Sequence, residues 1–328
     1  MPSWPIRVPM KDAVGIGALN LDLIYSVKDL RIGDREFAPG GEIFGSAEEF
    51  SDVVRRLEKQ GKLMNKSGGG SAANCMYALG NMGYKVGYLG MVGDDEHRDF
   101  ILRSMGKVDT SRVKRFDGTG LAISMVAQED RSLLILPNSN DWFYVNEDDI
   151  EYADDSKIVH MTSFVAANCL ETQKKIAASL GKDVILSFDP GELYAKRGIV
   201  PLKPMIERAN IVFISEREVG MLTGLDRLDG SRKLLAMGPR TVVCKMGEKG
   251  SMIFTKNQEI FIDVFEAKVV DKTGAGDVYD AGFLAGMLNN WPLERCGEFA
   301  SFAAAKSISR YGREGYPDER TLMEFEED

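Results

Sequence analysis

Asp271, Lys272, Thr273, Gly274, Ala275, Gly276 and Asp277 form an unbroken run, and a clear helical pattern over 277–289 opens at its end. Gly274 and Gly276 let the backbone approach an oxyanion closely. The first amides of the helix point at that anion with the positive end of the helix dipole. A carboxylate at Asp277 would repel a phosphoryl group there unless it accepts the proton of an attacking hydroxyl. A plain turn with an N-capping aspartate fits the same residues, so the run needs support from elsewhere in the chain.

A second glycine cluster supplies it. Ser67, Gly68, Gly69, Gly70, Ser71, Ala72, Ala73 and Asn74 also precede a helix, predicted over 71–81, whose small residues let it pack closely. Asn74 can donate to and accept from hydroxyls, although capping a helix end is its simplest role. The first predicted strand runs into Gly17, Ala18, Leu19, Asn20, Leu21 and Asp22. That places Asn20 and Asp22 on one face at the carboxyl end of a sheet strand, where open α/β sheets bind ligands. An aspartate beside an asparagine suits a polyol; a loop carboxylate satisfying backbone amides is the alternative.

Short apolar runs at 13–18, 86–91, 158–161, 184–188, 211–214 and 241–245 read as strands. They alternate with helical patterns at 71–81, 171–180, 216–222, 277–289 and 293–309, which predicts a parallel sheet with helices on both faces. Two strand pairs break the rhythm: 120–128 with 131–136, turned at Glu129 and Asp130, and 250–255 with 259–265, turned at 256–258. Residues 23–66 do not read as sheet core. Within them 47–60 places Phe50, Val53, Val54 and Leu57 at i, i+3, i+4 and i+7, one apolar stripe that is either buried on the body or used as a lid or subunit contact.

At 328 residues, one main α/β domain with a small appendage accounts for the chain. A net charge of -9 with no basic block leaves no electrostatic footprint for nucleic acid or an anionic membrane. An anionic nucleotide would have to be held by local amides and helix ends, with Mg²⁺. Cys75, Cys169, Cys244 and Cys296 lie far apart, and His97 and His160 are too few for a histidine metal centre or a Ser-His-Asp triad. No apolar h-region precedes Lys11 and no apolar run approaches the ~18 residues of a membrane span, so a cytoplasmic protein is expected. A Rossmann fingerprint fails because Asn20 stands where the third glycine is required, and no Gly-x-x-x-x-Gly-Lys-Ser/Thr loop occurs.

Together these segments resemble the PfkB carbohydrate kinases, the ribokinase-like group that includes adenosine kinases. The first family signature is similar to Gly69, Gly70 and Asn74 continuing through Leu79, Gly80, Gly83, Val86, Gly90, Val92, Gly93, Asp94 and Asp95. The second is similar to Asp271–Asp277 with Ala281 and Gly282. Gly17, Asn20 and Asp22 match the first strand, Asp189 and Pro190 a mid-chain motif, Glu218 the Asn-x-x-Glu segment, and Lys245, Gly247 and Gly250 the nucleotide-binding strand and turn. Ser215 stands where that segment usually has asparagine, Lys272 where a small residue or proline is usual, and Arg98 where a glycine is common.

The resemblance implies a three-layer α/β/α ribokinase-like domain over 1–328 with a small β-rich lid from about 23–66 and 118–137. It implies transfer of the γ-phosphoryl of ATP to a hydroxyl of a sugar or related polyol. Asp277 would be the base, and Gly274, Ala275 and Gly276 the anion hole. Asn20, Asp22, Gly69, Gly70 and Asn74 would hold the acceptor; Ser215, Glu218, Lys245, Gly247 and Gly250 would hold nucleotide. Glu218 would order Mg²⁺ through water, and Asp271 is a candidate ligand for a monovalent cation such as K⁺. With the 50–57 stripe, the resemblance suggests a homodimer through the lid. A nucleoside kinase of the same fold and a non-catalytic sugar-binding regulator are the competing readings.

Overall fold

The computed structural model describes residues 9–39, 41–127 and 130–327, without the side chains of Asp130 and Arg131. Six strands pair in parallel in the order Thr241–Lys245, Ile211–Ser215, Ile185–Asp189, Ser156–Thr162, Lys11–Ile16 and Val86–Leu89. Ser251–Thr255 and Glu259–Ile262 extend the sheet in antiparallel fashion at one edge. Val242 and Cys244 face one helical layer while Val243 faces the other, which is why this strand reads as a continuous apolar run. Helices Ser71–Asn81, Ala275–Leu288 and Leu293–Ser307 supply buried residues to the core on one face; Ala167–Ser179 and Ile199–Arg208 do so on the opposite face. The architecture is three-layer α/β/α. Val278, Ala281, Phe283, Leu284 and Ala285 are all fully buried, so the helix opened by the 271–277 turn is gripped on every side.

A second sheet stands apart from the first, in the order Glu42–Phe44, Asp130–Leu136, Gly120–Ala127, Asn20–Ser26 and Lys62–Gly69. Helix Ala47–Gln60 starts where Ser46 Oγ accepts from the Glu49 amide at 3.1 Å and Glu48 and Glu49 favour the dipole. Its Phe50, Val53 and Leu57 pack with Tyr25, Ile32, Phe37, Ile123, Met125 and Leu134. Burial of this kind contributes about 1.5–3 kcal/mol per large side chain. Of the two readings of the stripe, burial within the chain is the one observed, against the second sheet. The other face presents Asp22, Ile24, Ala122 and Ser124 to a cavity below.

Three expectations change in detail. The first strand stops at Ile16, and the chain crosses to the second sheet over 17–19. The Asn140 side chain pins this crossing, accepting from the Leu19 amide at 2.9 Å and donating to its carbonyl at 3.3 Å. Asn20 and Asp22 therefore belong to the second sheet, not to the carboxyl end of a main-sheet strand. The strand expected over 259–265 stops at Ile262, which pairs with Ser251, the first residue of its partner strand; just beyond it Ser301 Oγ donates to the Asp263 carbonyl at 2.8 Å. Glu129, expected in a turn, lies outside the described residues, and Asp130 already pairs with Ala127.

Candidate active site

The turn entering helix Ala275–Leu288 divides two cavities. The larger, about 860 Å³, is lined by Lys245, Gly247, Gly250, Lys272, Ala275 and Gly276, with Val264, Phe265, Ala304 and Ile308 forming an apolar wall. The smaller, about 110 Å³, is lined by Asp22, Asn74, Asp271, Thr273, Arg313 and Tyr316. Gly274 makes the turn with φ +77°, and a Cβ there would fall 2.0 Å from Tyr316 Oη, so only glycine fits. The Ala275 amide turns back to the Lys272 carbonyl at 3.3 Å. Helix geometry leaves the Gly276 and Asp277 amides without a carbonyl four residues back inside the helix, so of the expected anion hole Gly276 is the better placed member.

Asp277 Oδ2 accepts from Asn74 Nδ2 at 2.8 Å. Burial raises the Asp277 carboxyl above its ordinary value, while the hydrogen bond from Asn74 and the Lys245 charge pull it back. A carboxylate in this balance suits proton abstraction from an alcohol. Asn74 Oδ1 in turn accepts from Arg313 Nε at 3.0 Å. The guanidinium also donates from Nη1 to the Ser104 carbonyl at 2.8 Å and lies over the Tyr77 ring, 4.7 Å from its centroid. Burial lowers its pKa, and Tyr316 and Asp22 oppose that shift.

Asp22 stands above Gly69, where an added Cβ would come within 2.0 Å of the carboxylate. Burial pushes its pKa up to about 7 against the pull of Arg313, with Asp277 and Asp271 adding to the rise. Asp22 Oδ1 and Arg313 Nη2 are buried without a hydrogen-bond partner. Asn20 is not brought to this cavity: its Oδ1 accepts from Asn140 Nδ2 at 2.8 Å, a structural tie. Gly70 caps helix Ser71–Asn81 with φ +102° against the Ala18 carbonyl.

Beneath the turn, Lys245 Nζ donates to Asp189 Oδ2 at 2.7 Å and Asp280 Oδ1 at 2.9 Å. Burial would depress the ammonium, yet the two carboxylates hold its pKa well up. Asp280 is driven well above the usual carboxyl range by burial, whereas at Asp189 burial is outweighed by the Lys245 charge together with hydrogen bonds from Asp280, Lys245 and the Gly191 amide, which hold it low. A Cβ on Gly276 would lie 3.5 Å from Lys245 Nζ, so positive charge sits directly under the turn.

Ser215 and Glu218 do not line the larger cavity. They close a capping box on helix Glu216–Thr223: Glu218 Oε2 accepts from the Ser215 amide at 2.7 Å, and Ser215 Oγ from the Glu218 amide at 3.3 Å. Serine therefore does at this helix start what an asparagine could. Burial and Asp189 raise the Glu218 carboxyl. Among the described residues no cluster of three or more histidine, cysteine or acidic side chains could hold a metal unaided. A lone acidic side chain such as Glu218 would fit a Mg²⁺ carried on phosphate oxygens and water better than an ion held by protein ligands alone. Asp271 accepts from the Thr273 amide at 2.9 Å and the Gly312 amide at 3.1 Å, stitching the 271–277 turn to the segment that bears Arg313.

Sequence reasoning missed Arg313, Tyr316 and Asp280. Asp280 sits one helical turn after Asp277 and could have been flagged as a carboxylate in an otherwise apolar helix. Arg313 and Tyr316 lie in an aperiodic segment with no local signal. Cys75, Cys169, Cys244 and Cys296 are buried free thiols. His160 is a core residue, its ring bonded to Ser187 Oγ at 2.9 Å and its pKa lowered to about 4 by burial. No described helix is long and apolar enough to cross a membrane.

The chain is similar to known proteins along most of its length. An uncharacterized sugar kinase from Archaeoglobus fulgidus is 34% identical over 247 residues, covering 73% of this chain and 98% of its own. A cytidine kinase from Thermococcus kodakarensis is 30% identical over 251 residues, covering 74% and 88% respectively. The solved structure of Arabidopsis thaliana ribokinase complexed with ribose and ATP superposes with a TM-score of 0.80 at 22% identity, covering 96% of this chain and 98% of that one; this shows the shared fold. The sequence profile of the pfkB family carbohydrate kinases matches residues 42–318, and with the archaeal relatives it establishes that the chain belongs to that family.

Proposed function

We propose that the protein transfers the γ-phosphoryl group of ATP to a hydroxyl of a sugar or of a nucleoside's sugar. The observation that carries this reading is that Gly276 lines the large cleft while Asn74, which is hydrogen-bonded to Asp277 at 2.8 Å, lines the small polar cavity on the other side of the turn. ATP would lie in the larger cleft, its base against Val264, Phe265 and Ile308 and its phosphates toward Gly276 and Lys272. The acceptor would occupy the smaller cavity under Asp22. Asp277 takes the proton of the attacking hydroxyl; Asn74 holds the carboxylate, and Lys245 supplies fixed positive charge below the turn. Mg²⁺, when bound with the nucleotide, would neutralise phosphate charge, with Glu218 ordering its water.

The second sheet, drawn from 20–26, 42–44, 62–69 and the 120–136 hairpin, would act as a lid that excludes water from the acceptor. Asp271 would border a K⁺ site, and the family setting favours a cytoplasmic enzyme. A lid-mediated homodimer would have to use a surface other than the buried 50–57 stripe. A non-catalytic sugar-binding role is disfavoured by the presence of the Asp277–Asn74 pair. The test is a screen of acceptor-dependent ADP formation across sugars, polyols, sugar phosphates and nucleosides. Turnover with at least one sugar or nucleoside supports the proposal; ATP consumption with none contradicts it.

A further inference from the structure

Three sides of the Arg313 guanidinium are fixed by the protein: Nε on Asn74, Nη1 on the Ser104 carbonyl and one face on Tyr77. Nη2 is buried with nothing to donate to, and Asp22 Oδ1, which lines the same small cavity, is buried with nothing to accept from. Buried polar groups in folded proteins are paired, so two orphans of opposite kind in one cavity mark the place of a ligand that offers both a donor and an acceptor.

We infer that Arg313 is the residue that reads the phosphoryl acceptor, donating from Nη2 to one of its oxygens while Asp22 accepts from a hydroxyl, and that the fitting acceptor is an uncharged polyhydroxy compound. The charge balance carries the second half. Asp22 and Asp271 line the cavity with a single guanidinium, and Asp277 stands behind Asn74. A carboxylate or phosphate on the acceptor would meet three acidic side chains and a single guanidinium, close to the incoming phosphoryl charge. A hydroxyl satisfies Nη2 and Asp22 without that repulsion. The arginine is also tied to the base: its Nε bond sets the Asn74 amide with Nδ2 toward Asp277, and its segment is joined to the catalytic turn through Gly312 and Asp271.

The assignment of the small cavity to the acceptor rests on the kinase reading, and the experiment separates the two. Initial rates of the full chain are measured on matched sets: a sugar or nucleoside, the corresponding sugar acid, and the corresponding phosphate. The uncharged member is expected to exceed both anions at least tenfold in kcat/KM; an anion preferred tenfold overturns the inference. Arg313→Gln is expected to raise the acceptor KM at least tenfold while the ATP KM stays within twofold and the circular dichroism is unchanged. Arg313→Lys should recover little, because one ammonium cannot hold Asn74, Ser104 and the acceptor together. Wild-type turnover with an acceptor KM that Arg313→Gln leaves unchanged overturns the role of Arg313 and leaves the kinase standing. Wild-type protein that transfers to no acceptor overturns both. If the variants fail to fold, the wild-type series decides the charge class.

Discussion

Asn74 Nδ2 donates to Asp277 Oδ2 at 2.8 Å while Asn74 Oδ1 accepts from Arg313 Nε at 3.0 Å, so one amide joins the candidate base to a guanidinium from the far end of the chain. The arginine fixes which way the amide faces. Asn74 thereby offers Asp277 a donor, which favours the ionised carboxylate.

Replacing Asn74 by alanine removes that donor. The Asp277 pKa is already raised by burial and should rise further, because the hydrogen bond that lowers it is lost. The acid limb of kcat/KM against pH is expected to move to higher pH, and kcat to fall about 10- to 100-fold, within the range of general-base effects. A pH–rate profile checks both. An unmoved acid limb would show that Asn74 does not act on the base.

Asp22 should make stability depend on pH. Its pKa in the fold is about 7, above its unfolded value, with Arg313, Asp277 and Asp271 as the charged groups around it. The native state therefore holds the proton more tightly. This contribution to stability is fully present below the unfolded pKa, near 4, and is lost as pH rises through 7. Asp22→Asn should be nearly neutral at pH 4 and stabilising by roughly 1–3 kcal/mol at pH 8, less than the ~4 kcal/mol of a three-unit shift because neighbouring charges relax. Urea unfolding of the ligand-free protein at the two pH values measures the difference.

Lys245→Met strands Asp189 and Asp280 in the core without their cation. Removing one partner of a buried ion pair typically costs about 3–5 kcal/mol, so a loss of that order is expected in denaturant unfolding. Adding Asp280→Asn should recover part of it. Full stability in the single variant would mean that the cluster is solvated rather than sealed.

Gly274→Ala combines φ +77° with an overlap against Tyr316 Oη. The left-handed conformation alone costs roughly 1–2 kcal/mol for a residue with a Cβ. The variant should stay folded, since the helix behind the turn is buried on every side, yet lose at least tenfold in kcat. Tyr316→Phe in the same chain should restore some activity by removing the hydroxyl that collides.

The sequence was legible where structure is local. Thr241–Lys245 and Ser71–Asn81 have the bounds read from their residues, because a β-branched run and a glycine-to-helix junction are self-contained signals. Asp277 and Gly276 could be nominated for the same reason: the pattern that carries them is contiguous in the sequence. The crossing at 17–19 was misread because the side chain that ends the first strand, Asn140, is 121 residues from Leu19. Arg313 was invisible because its partner Asn74 is 239 positions away. Asn20 was placed by its neighbour Asp22, but strand alternation alone does not show which member of such a pair meets another loop.

The central claim, that Asp277 removes the acceptor's proton, is tested most directly by the turnover of Asp277→Asn under saturating ATP and acceptor. Asparagine keeps the shape and loses the basic oxygen. The account predicts a fall in kcat of about 10²–10⁴-fold with ATP affinity retained. A kcat within threefold of the unaltered protein would contradict it.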